Sequence, residues 1–130
     1  MAKILVVDDD PDLLALVVRR LGHAGHRVQS ALAGREALAL IEERGAPDIV
    51  VLDVNMPDLD GLGLLVAVRE QTGRADLPAV FLSGRVEADD VAAGRALGAV
   101  YLTKPFVSSA LLAAIESQLA KVAVAVPDAW

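Results

Sequence analysis

Residues 4–14 read ILVVDDDPDLL, in which a short apolar run is followed at once by four aspartates within five positions. The run at residues 4–7 is continuous rather than alternating in polarity, which is typical of a strand buried on both faces of a parallel sheet. Pro11 is favoured at the first position of a helix, so Asp10 before it is the predicted N-cap. The stretch therefore predicts a buried strand that leads into a helix, and it leaves the two aspartates between them without a structural role.

The same alternation of apolar runs and helical segments continues along the chain. Further strands are predicted from three continuous apolar runs and one more polar run typical of an edge strand, at residues 49–52, 79–82, 99–102 and 26–31. Helices follow the first and last runs, and the apolar spacing predicts three more at residues 34–44, 61–70 and 86–97. Strands that alternate with helices pair in parallel through right-handed crossovers. The sequence therefore predicts an α/β fold, a doubly wound five-stranded parallel sheet.

The composition limits the classes of function. The chain has 130 residues, 55% of them apolar, and its net charge is −6. It has no cysteine, which excludes disulfides and thiolate metal sites. No block of Lys or Arg is present, so we expect no direct nucleic-acid binding. No apolar run approaches the roughly 18 residues of a membrane span and no signal peptide is visible, so we predict a cytoplasmic protein.

No repeat or linker divides the chain, so we predict one domain over residues 1–122 and a short tail over 123–130. No output domain follows in the sequence, and a stand-alone protein and a piece of a longer protein both remain open. The tail ends in Trp130 and is a candidate docking or self-association segment. We expect a monomer or a weak dimer.

A parallel α/β sheet places its ligand site at the carboxyl ends of its strands, and polar residues follow the predicted strands. These residues are Asp8, Asp9, Asp53, Ser83 and Lys104. Two carboxylates about 4 Å apart repel by roughly 4 kcal/mol at an effective dielectric near 20, so three of them need protons, a lysine or a metal. Oxygen ligands without His or Cys suit Mg²⁺.

Such a site has the parts for phosphoryl transfer. Carboxylates form aspartyl-phosphate intermediates, and Asp53 is the candidate nucleophile. The charge on the phosphoryl oxygens has to be neutralised, which Mg²⁺ and Lys104 can share. Ser83 can donate a hydrogen bond to the same group.

With these residues in place, the chain resembles the receiver domains of two-component response regulators, the CheY-like superfamily. The resemblance covers nearly the whole chain and rests on ILVVDDDP, DIVVLDVNMPDLDG, LPAVFLSG and YLTKPF. It implies a flavodoxin-like (βα)5 fold with strand order 2-1-3-4-5. It also implies that Asp53 accepts a phosphoryl group from a histidine kinase or histidine phosphotransfer protein, and that a downstream protein target reads the result.

The resemblance also assigns the metal ligands. Asp8 and Asp9 match the family's acidic pair, of which the second typically binds Mg²⁺ directly and the first largely through water. Asp53 completes the carboxylates, and Asn55 would supply its backbone carbonyl. The chain would then be a phosphoacceptor rather than an enzyme, limited to its own phosphorylation and slow autodephosphorylation.

The remaining motif residues match the switch of the family. Lys104 matches the invariant lysine, whose bond to Pro105 is usually cis. Ser83 and Tyr101 match the pair that rearranges on phosphorylation. Only Val100 separates the GA motif from Tyr101 where the family usually has two residues, so a simple packing role for Tyr101 stays an alternative. Serine also replaces the commoner threonine.

Three further residues have less specific sequence signals. Asp58 and Asp60 belong to the turn MPDLDG, and we assign them turn and N-cap roles. Arg85 lies two residues after Ser83, where family side chains tune the lifetime of the phosphate. We hypothesise that Arg85 reaches the phosphoryl edge and slows attack by water.

Two other classes of function are alternatives. A docking module that never takes phosphate would be expected to lack part of the acidic pair, the aspartate or the lysine, and all are intact. An enzyme of the haloacid-dehalogenase type needs a second aspartate two residues after its nucleophile, ordinarily on the first strand. The DVNMP segment that begins at Asp53 meets neither condition.

Overall fold

The computed structural model describes residues 2–84 and 88–121, in which five strands alternate with five helices. The strands are β1 (Lys3–Val7), β2 (Arg27–Ala31), β3 (Ile49–Asp53), β4 (Ala79–Ser83) and β5 (Val100–Thr103). The helices are α1 (Pro11–His23), α2 (Gly34–Arg44), α3 (Gly61–Thr72), α4 (Ala88–Ala96) and α5 (Ser108–Leu119). All strand pairs are parallel and the order is β2-β1-β3-β4-β5, which confirms the predicted fold.

The three central strands are buried at every position because helices cover both faces of the sheet. Successive side chains point to opposite faces, so each strand contributes to two cores. Leu5 and Phe81 belong to the core that also contains residues of α2 and α3. Ile4 and Leu82 belong to the other core, with residues of α1 and α5. Continuous apolar runs therefore indicated strands with both faces covered.

The last strand differs from the prediction in position and burial. We expected a strand at 99–102, and β5 instead runs over Val100–Thr103 with partly exposed side chains. Among the described residues it lies at the edge of the sheet and pairs with β4 alone, so it buries less surface. The predictions for Arg85 and for the tail at 123–130 fall outside the described residues.

Two aspartates cap helices as predicted. The Asp10 carboxylate accepts hydrogen bonds from the backbone N–H groups of Asp12 and Leu13, at 3.0 and 3.3 Å. The Asp60 carboxylate accepts one from Gly63 at 2.7 Å at the start of α3. Both carboxylates stabilise helix N-termini.

Asp58 has a larger role than the predicted turn. The N-cap residue of α2, Ala33, makes no side-chain cap hydrogen bond. Asp58 supplies the cap from 24 positions away and accepts from the N–H groups of Gly34 and Arg35 at 3.1 and 3.0 Å. These hydrogen bonds lower the pKa of Asp58. The loop after β3 is therefore attached to the start of α2.

We expect Asp58→Ala to lower the urea midpoint of unfolding by about 0.5 M, because two N–H groups of α2 lose their acceptor. Asp58→Asn keeps a side-chain oxygen and should retain most of the wild-type midpoint. Equal midpoints for Asp58→Ala and wild type would show that the contact between the loop and α2 does not stabilise the fold.

Candidate functional site

The aspartates that follow β1 and β3 meet at the carboxyl end of the sheet. Asp8, Asp9 and Asp53 can each offer one oxygen such that all three oxygens lie within 4.8 Å of one another. The two strands are neighbours, and Val7 is in register with Leu52, so Asp8 and Asp53 are brought side by side. Asp8 and Asp53 are buried, and Asp9 is exposed. The topology thus brings together residues that are 45 positions apart.

Lys104 reaches the same site from the segment after β5. Its Nζ lies 2.9 Å from Asp8 Oδ2 and 3.5 Å from Asp53 Oδ1. The backbone N–H of Lys104 donates to the Ser83 carbonyl at 2.7 Å, which attaches this segment to the end of β4. The Lys104–Pro105 peptide bond is cis. One ammonium group therefore contacts both buried carboxylates.

Asp8 is held by contacts on both of its oxygens. Oδ1 accepts the backbone N–H of Asp10 at 2.9 Å, and Oδ2 accepts from Lys104. The same Asp10 caps α1, so the first turn of the helix and the acidic site share a short segment of backbone. The position of Asp8 is consequently set by the way β1 leads into α1.

The surroundings of Asp53 disfavour the charged form of its carboxyl group. Burial raises its pKa to about 6, and the neighbouring charge of Asp8 adds to the rise. The charge of Lys104 opposes this rise in the pKa of Asp53. The backbone N–H of Asn55, which donates to Asp53 Oδ1 at 3.4 Å, opposes it as well. Burial alone would lower the pKa of Lys104, but its hydrogen bond to Asp8 and the charges of Asp8 and Asp53 raise it. The site thus sets three carboxyl groups against one ammonium group.

This set of donors fits a hard divalent cation. Three carboxylates with converging oxygens and an excess of negative charge match the preference of Mg²⁺ for a few carboxylate ligands plus water or phosphate. Asp8, Asp9 and Asp53 can hold such an ion. Asn55 is exposed beside them, two residues after Asp53.

The two predicted switch residues lie on neighbouring strands. Ser83 ends β4, is buried, and is in register with Thr103 of β5. The ring of Tyr101 packs beside Phe81, with centroids 5.1 Å apart and planes tilted by 35°. The Tyr101 hydroxyl oxygen is buried as well. The ring thus packs into the core on the α2 and α3 side of the sheet.

Gly61 positions the loop around Asp53, a role that the sequence analysis missed. A Cβ at Gly61 would lie 2.5 Å from the Asp53 carbonyl oxygen and 3.0 Å from Val54 Cα. The Gly61 N–H also donates to the Val54 carbonyl at 2.9 Å. The start of α3 therefore packs directly on the end of β3. The available signal was the glycine that ends the turn MPDLDG, which we had interpreted as turn chemistry alone.

We expect Gly61→Ala to destabilise the protein by about 1–3 kcal/mol, because its Cβ would overlap backbone atoms that cannot move aside cheaply. Gly22→Ala is the control, since a Cβ at Gly22 in α1 meets no atom within 4 Å. The control should be neutral or stabilise by up to about 1 kcal/mol. Urea unfolding of both variants measures the difference, and two equal effects would contradict the prediction.

The sequence of this chain matches a known protein family. Residues 4–116 match the family model described as "Response regulator receiver domain". The chain belongs to this family. The assignment agrees with the sheet order and with the resemblance noted from the four motifs.

The relatives of this receiver domain include transcriptional regulators and solved receiver structures. The transcriptional regulatory protein PrrA of Mycobacterium tuberculosis is 44% identical over 118 residues, which cover 90% of this chain and 49% of PrrA. The chain thus spans about half the length of that relative. The chemotaxis protein CheY4 of Vibrio cholerae superposes with a TM-score of 0.84 at 35% identity, covering 91% of this chain and 98% of CheY4.

A third relative is a receiver domain in a beryllofluoride complex. The structure titled "BeF3 Activated DrrB Receiver Domain" has a TM-score of 0.77 and 32% identity, and the match covers 92% of this chain and 98% of that one. In the part of our receiver domain that the structure describes, no helix has the length and apolar character required to cross a membrane.

Proposed function

We propose that this receiver domain accepts a phosphoryl group on Asp53 from a phosphohistidine of a histidine kinase or histidine phosphotransfer protein. The observation that supports this best is the position of Asp53. It is buried, shares a 4.8 Å cluster with Asp8 and Asp9, and has Lys104 Nζ at 3.5 Å. Phosphorylation would then change a surface that a downstream protein target binds. The protein is a phosphoacceptor and not an enzyme with a separate substrate.

Magnesium would be held by Asp8, Asp9 and Asp53, with the backbone carbonyl of Asn55 as a further ligand. When bound, the ion supplies charge neutralisation for the transferring phosphoryl oxygens. The excess of carboxylate over ammonium charge in the cluster supports this assignment.

The residues of the chain have distinct tasks in the proposed reaction. A carboxylate oxygen of Asp53 attacks phosphorus while the P–N bond to the donor imidazole breaks, and the bonding pair stays with the imidazole nitrogen. Because the pKa of Asp53 is about 6, most molecules carry the required carboxylate at pH 7. Lys104, whose pKa is raised, stays protonated and donates to a phosphoryl oxygen. The Ser83 hydroxyl donates a further hydrogen bond.

The direct test is phosphorylation by a small-molecule donor. The protein is incubated with Mg²⁺ and acetyl phosphate or phosphoramidate and examined by intact mass spectrometry. Wild type should gain one phosphoryl group, and Asp53→Asn and an EDTA-treated sample should not. If magnesium-loaded wild type gains no adduct, or Asp53→Asn gains one, the proposal is wrong. The first result would favour a docking module that works without phosphate.

A further inference from the structure

Gly94 lies in the last turn of α4, where glycine is a poorer helix former than alanine. Replacing an alanine by glycine inside a helix weakens the helical state about fivefold. The backbone does not require glycine here, since the positive-φ glycines of the described residues are Gly25, Gly45, Gly73 and Gly98. Gly94 is also buried, so its surroundings rather than its backbone must account for it.

The ring of Tyr101 fills the space that a side chain at position 94 would need. A Cβ at Gly94 would lie 2.2 Å from Tyr101 Cε2, 2.9 Å from Cδ2 and 3.4 Å from Cζ. Phe81 contacts the ring as well, with the centroids 5.1 Å apart. The ring thus packs between the α4 backbone at Gly94 and the Phe81 ring on the sheet.

Among the glycines of the described residues, Gly94 has the closest approach, at 2.2 Å. Gly22, which also lies in a helix, has no atom within 4 Å of its Cβ position. At Gly61 the obstructing atoms belong to backbone, whereas at Gly94 they belong to one side chain that can rotate away. A methyl group at position 94 would therefore displace the ring rather than simply strain the chain.

We propose that Gly94 is a positioning residue for Tyr101, because the missing side chain is what allows the ring to occupy its partly buried position against α4. Position 94 then sets the equilibrium between a buried and an outward ring. The signalling consequence rests on the proposed function, in which the state of Tyr101 is coupled to phosphorylation. The packing relation between the two residues does not depend on it.

The packing relation is tested by a mutant cycle in unfolding experiments. Gly94→Ala is made in wild type, in Tyr101→Phe and in Tyr101→Ala. Phenylalanine keeps every ring carbon that approaches position 94, whereas alanine removes the ring. We expect Gly94→Ala to be destabilising or neutral in the first two backgrounds. In the Tyr101→Ala background it should stabilise about fivefold in the unfolding equilibrium constant, which is the helix-propensity gain. The proposal would be overturned if Gly94→Ala changed the unfolding equilibrium constant by factors that agree within twofold in all three backgrounds.

The position of the ring is tested by a spectroscopic probe. Tyr101 is the single tyrosine of the chain, so 3-fluorotyrosine labels only this site. In Gly94→Ala the ¹⁹F resonance should move toward its value in the urea-unfolded protein, because the ring becomes exposed. Gly22→Ala should leave the resonance unchanged. A wild-type resonance position in Gly94→Ala would contradict displacement of the ring even if stability changed.

The link to phosphorylation is tested with Mg²⁺ and beryllofluoride. If the buried ring and the bound anion favour each other, disfavouring one disfavours the other by the same factor. We expect Gly94→Ala to weaken beryllofluoride binding about tenfold and Gly22→Ala to leave it unchanged. If wild type binds no beryllofluoride, the proposed function fails while the mutant cycle and the ¹⁹F shift still test Gly94. If wild type binds and Gly94→Ala binds equally, the coupling fails.

Discussion

Replacing Lys104 by methionine should lower the free energy of unfolding by about 2 kcal/mol at pH 7 in metal-free buffer. In the described part of the chain, Lys104 Nζ is the one ammonium group that contacts both Asp8 and Asp53, at 2.9 and 3.5 Å. Removing one partner of a buried ion pair leaves uncompensated charge, which costs about 3–5 kcal/mol when the site is fully buried. We expect less here because the lysine side chain is 23% exposed.

The same substitution should slow phosphorylation by acetyl phosphate about 100-fold or more. Loss of one preorganised donor to a charge-bearing transition state typically costs this much in rate. Lys104→Arg keeps the positive charge and is the control, since it should recover most of the stability and less of the rate. A Lys104→Met protein as stable as wild type would show that the two contacts do not balance the cluster.

Replacing Asp53 should change the free energy of unfolding in the opposite direction. Asp53→Asn should raise the free energy of unfolding by about 2 kcal/mol at pH 7 in metal-free buffer. The pKa of Asp53 is about 6 in the folded protein and 3.8 for the unperturbed group. One pKa unit corresponds to about 1.4 kcal/mol, so the full difference is an upper limit for this coupled carboxylate.

The pH dependence follows from the direction of this shift. Because folding raises the pKa, the folded protein binds the proton more tightly than the unfolded chain. The associated stability is fully present below about pH 3.8, is lost as pH rises through about 6, and stays lost above it. The difference between Asp53→Asn and wild type should therefore be small near pH 4 and level off above pH 6. Urea unfolding at several pH values measures it.

Magnesium gives an independent check on the same charge balance. A ligand that binds the folded state stabilises it, and wild type keeps the Asp53 carboxylate that Asp53→Asn lacks as a Mg²⁺ ligand. Saturating Mg²⁺ should therefore reduce the difference in free energy of unfolding between Asp53→Asn and wild type. In the Lys104→Met background, Asp53→Asn should stabilise more than it does in wild type, because no ammonium offsets the carboxylate. An Asp53→Asn protein that is less stable than wild type at pH 7 without metal would contradict the pKa shift and the charge imbalance.

The sequence alone was sufficient for the fold and for the composition of the site. Continuous apolar runs such as residues 4–7 indicated strands with both faces covered, and their alternation with helices implied parallel pairing. The rule that ligands bind at the carboxyl ends of such strands selected Asp8, Asp9, Asp53 and Lys104. These inferences were possible because burial, chain direction and helix caps are encoded in neighbouring residues.

Other features depended on contacts between residues far apart in the chain. The hydrogen bonds from the start of α2 to Asp58, the approach of Gly61 to the end of β3 and the contact of Gly94 with Tyr101 have no local signature. Each of these glycines looks like a turn residue or a weak helix position in isolation. The space that each leaves is defined only by the other element packed against it.

The elevated pKa of Asp53 also depends on residues that are far apart in the chain. The sequence shows an aspartate after an apolar run, and nothing local states how much water or how many charges surround it. Only the packed sheet brings Asp8 and Lys104 to its carboxylate and buries Asp53. Local pattern thus determined which residues lie at the rim of the sheet. Tertiary packing determined the distances, and therefore the electrostatic energies, on which their chemistry depends.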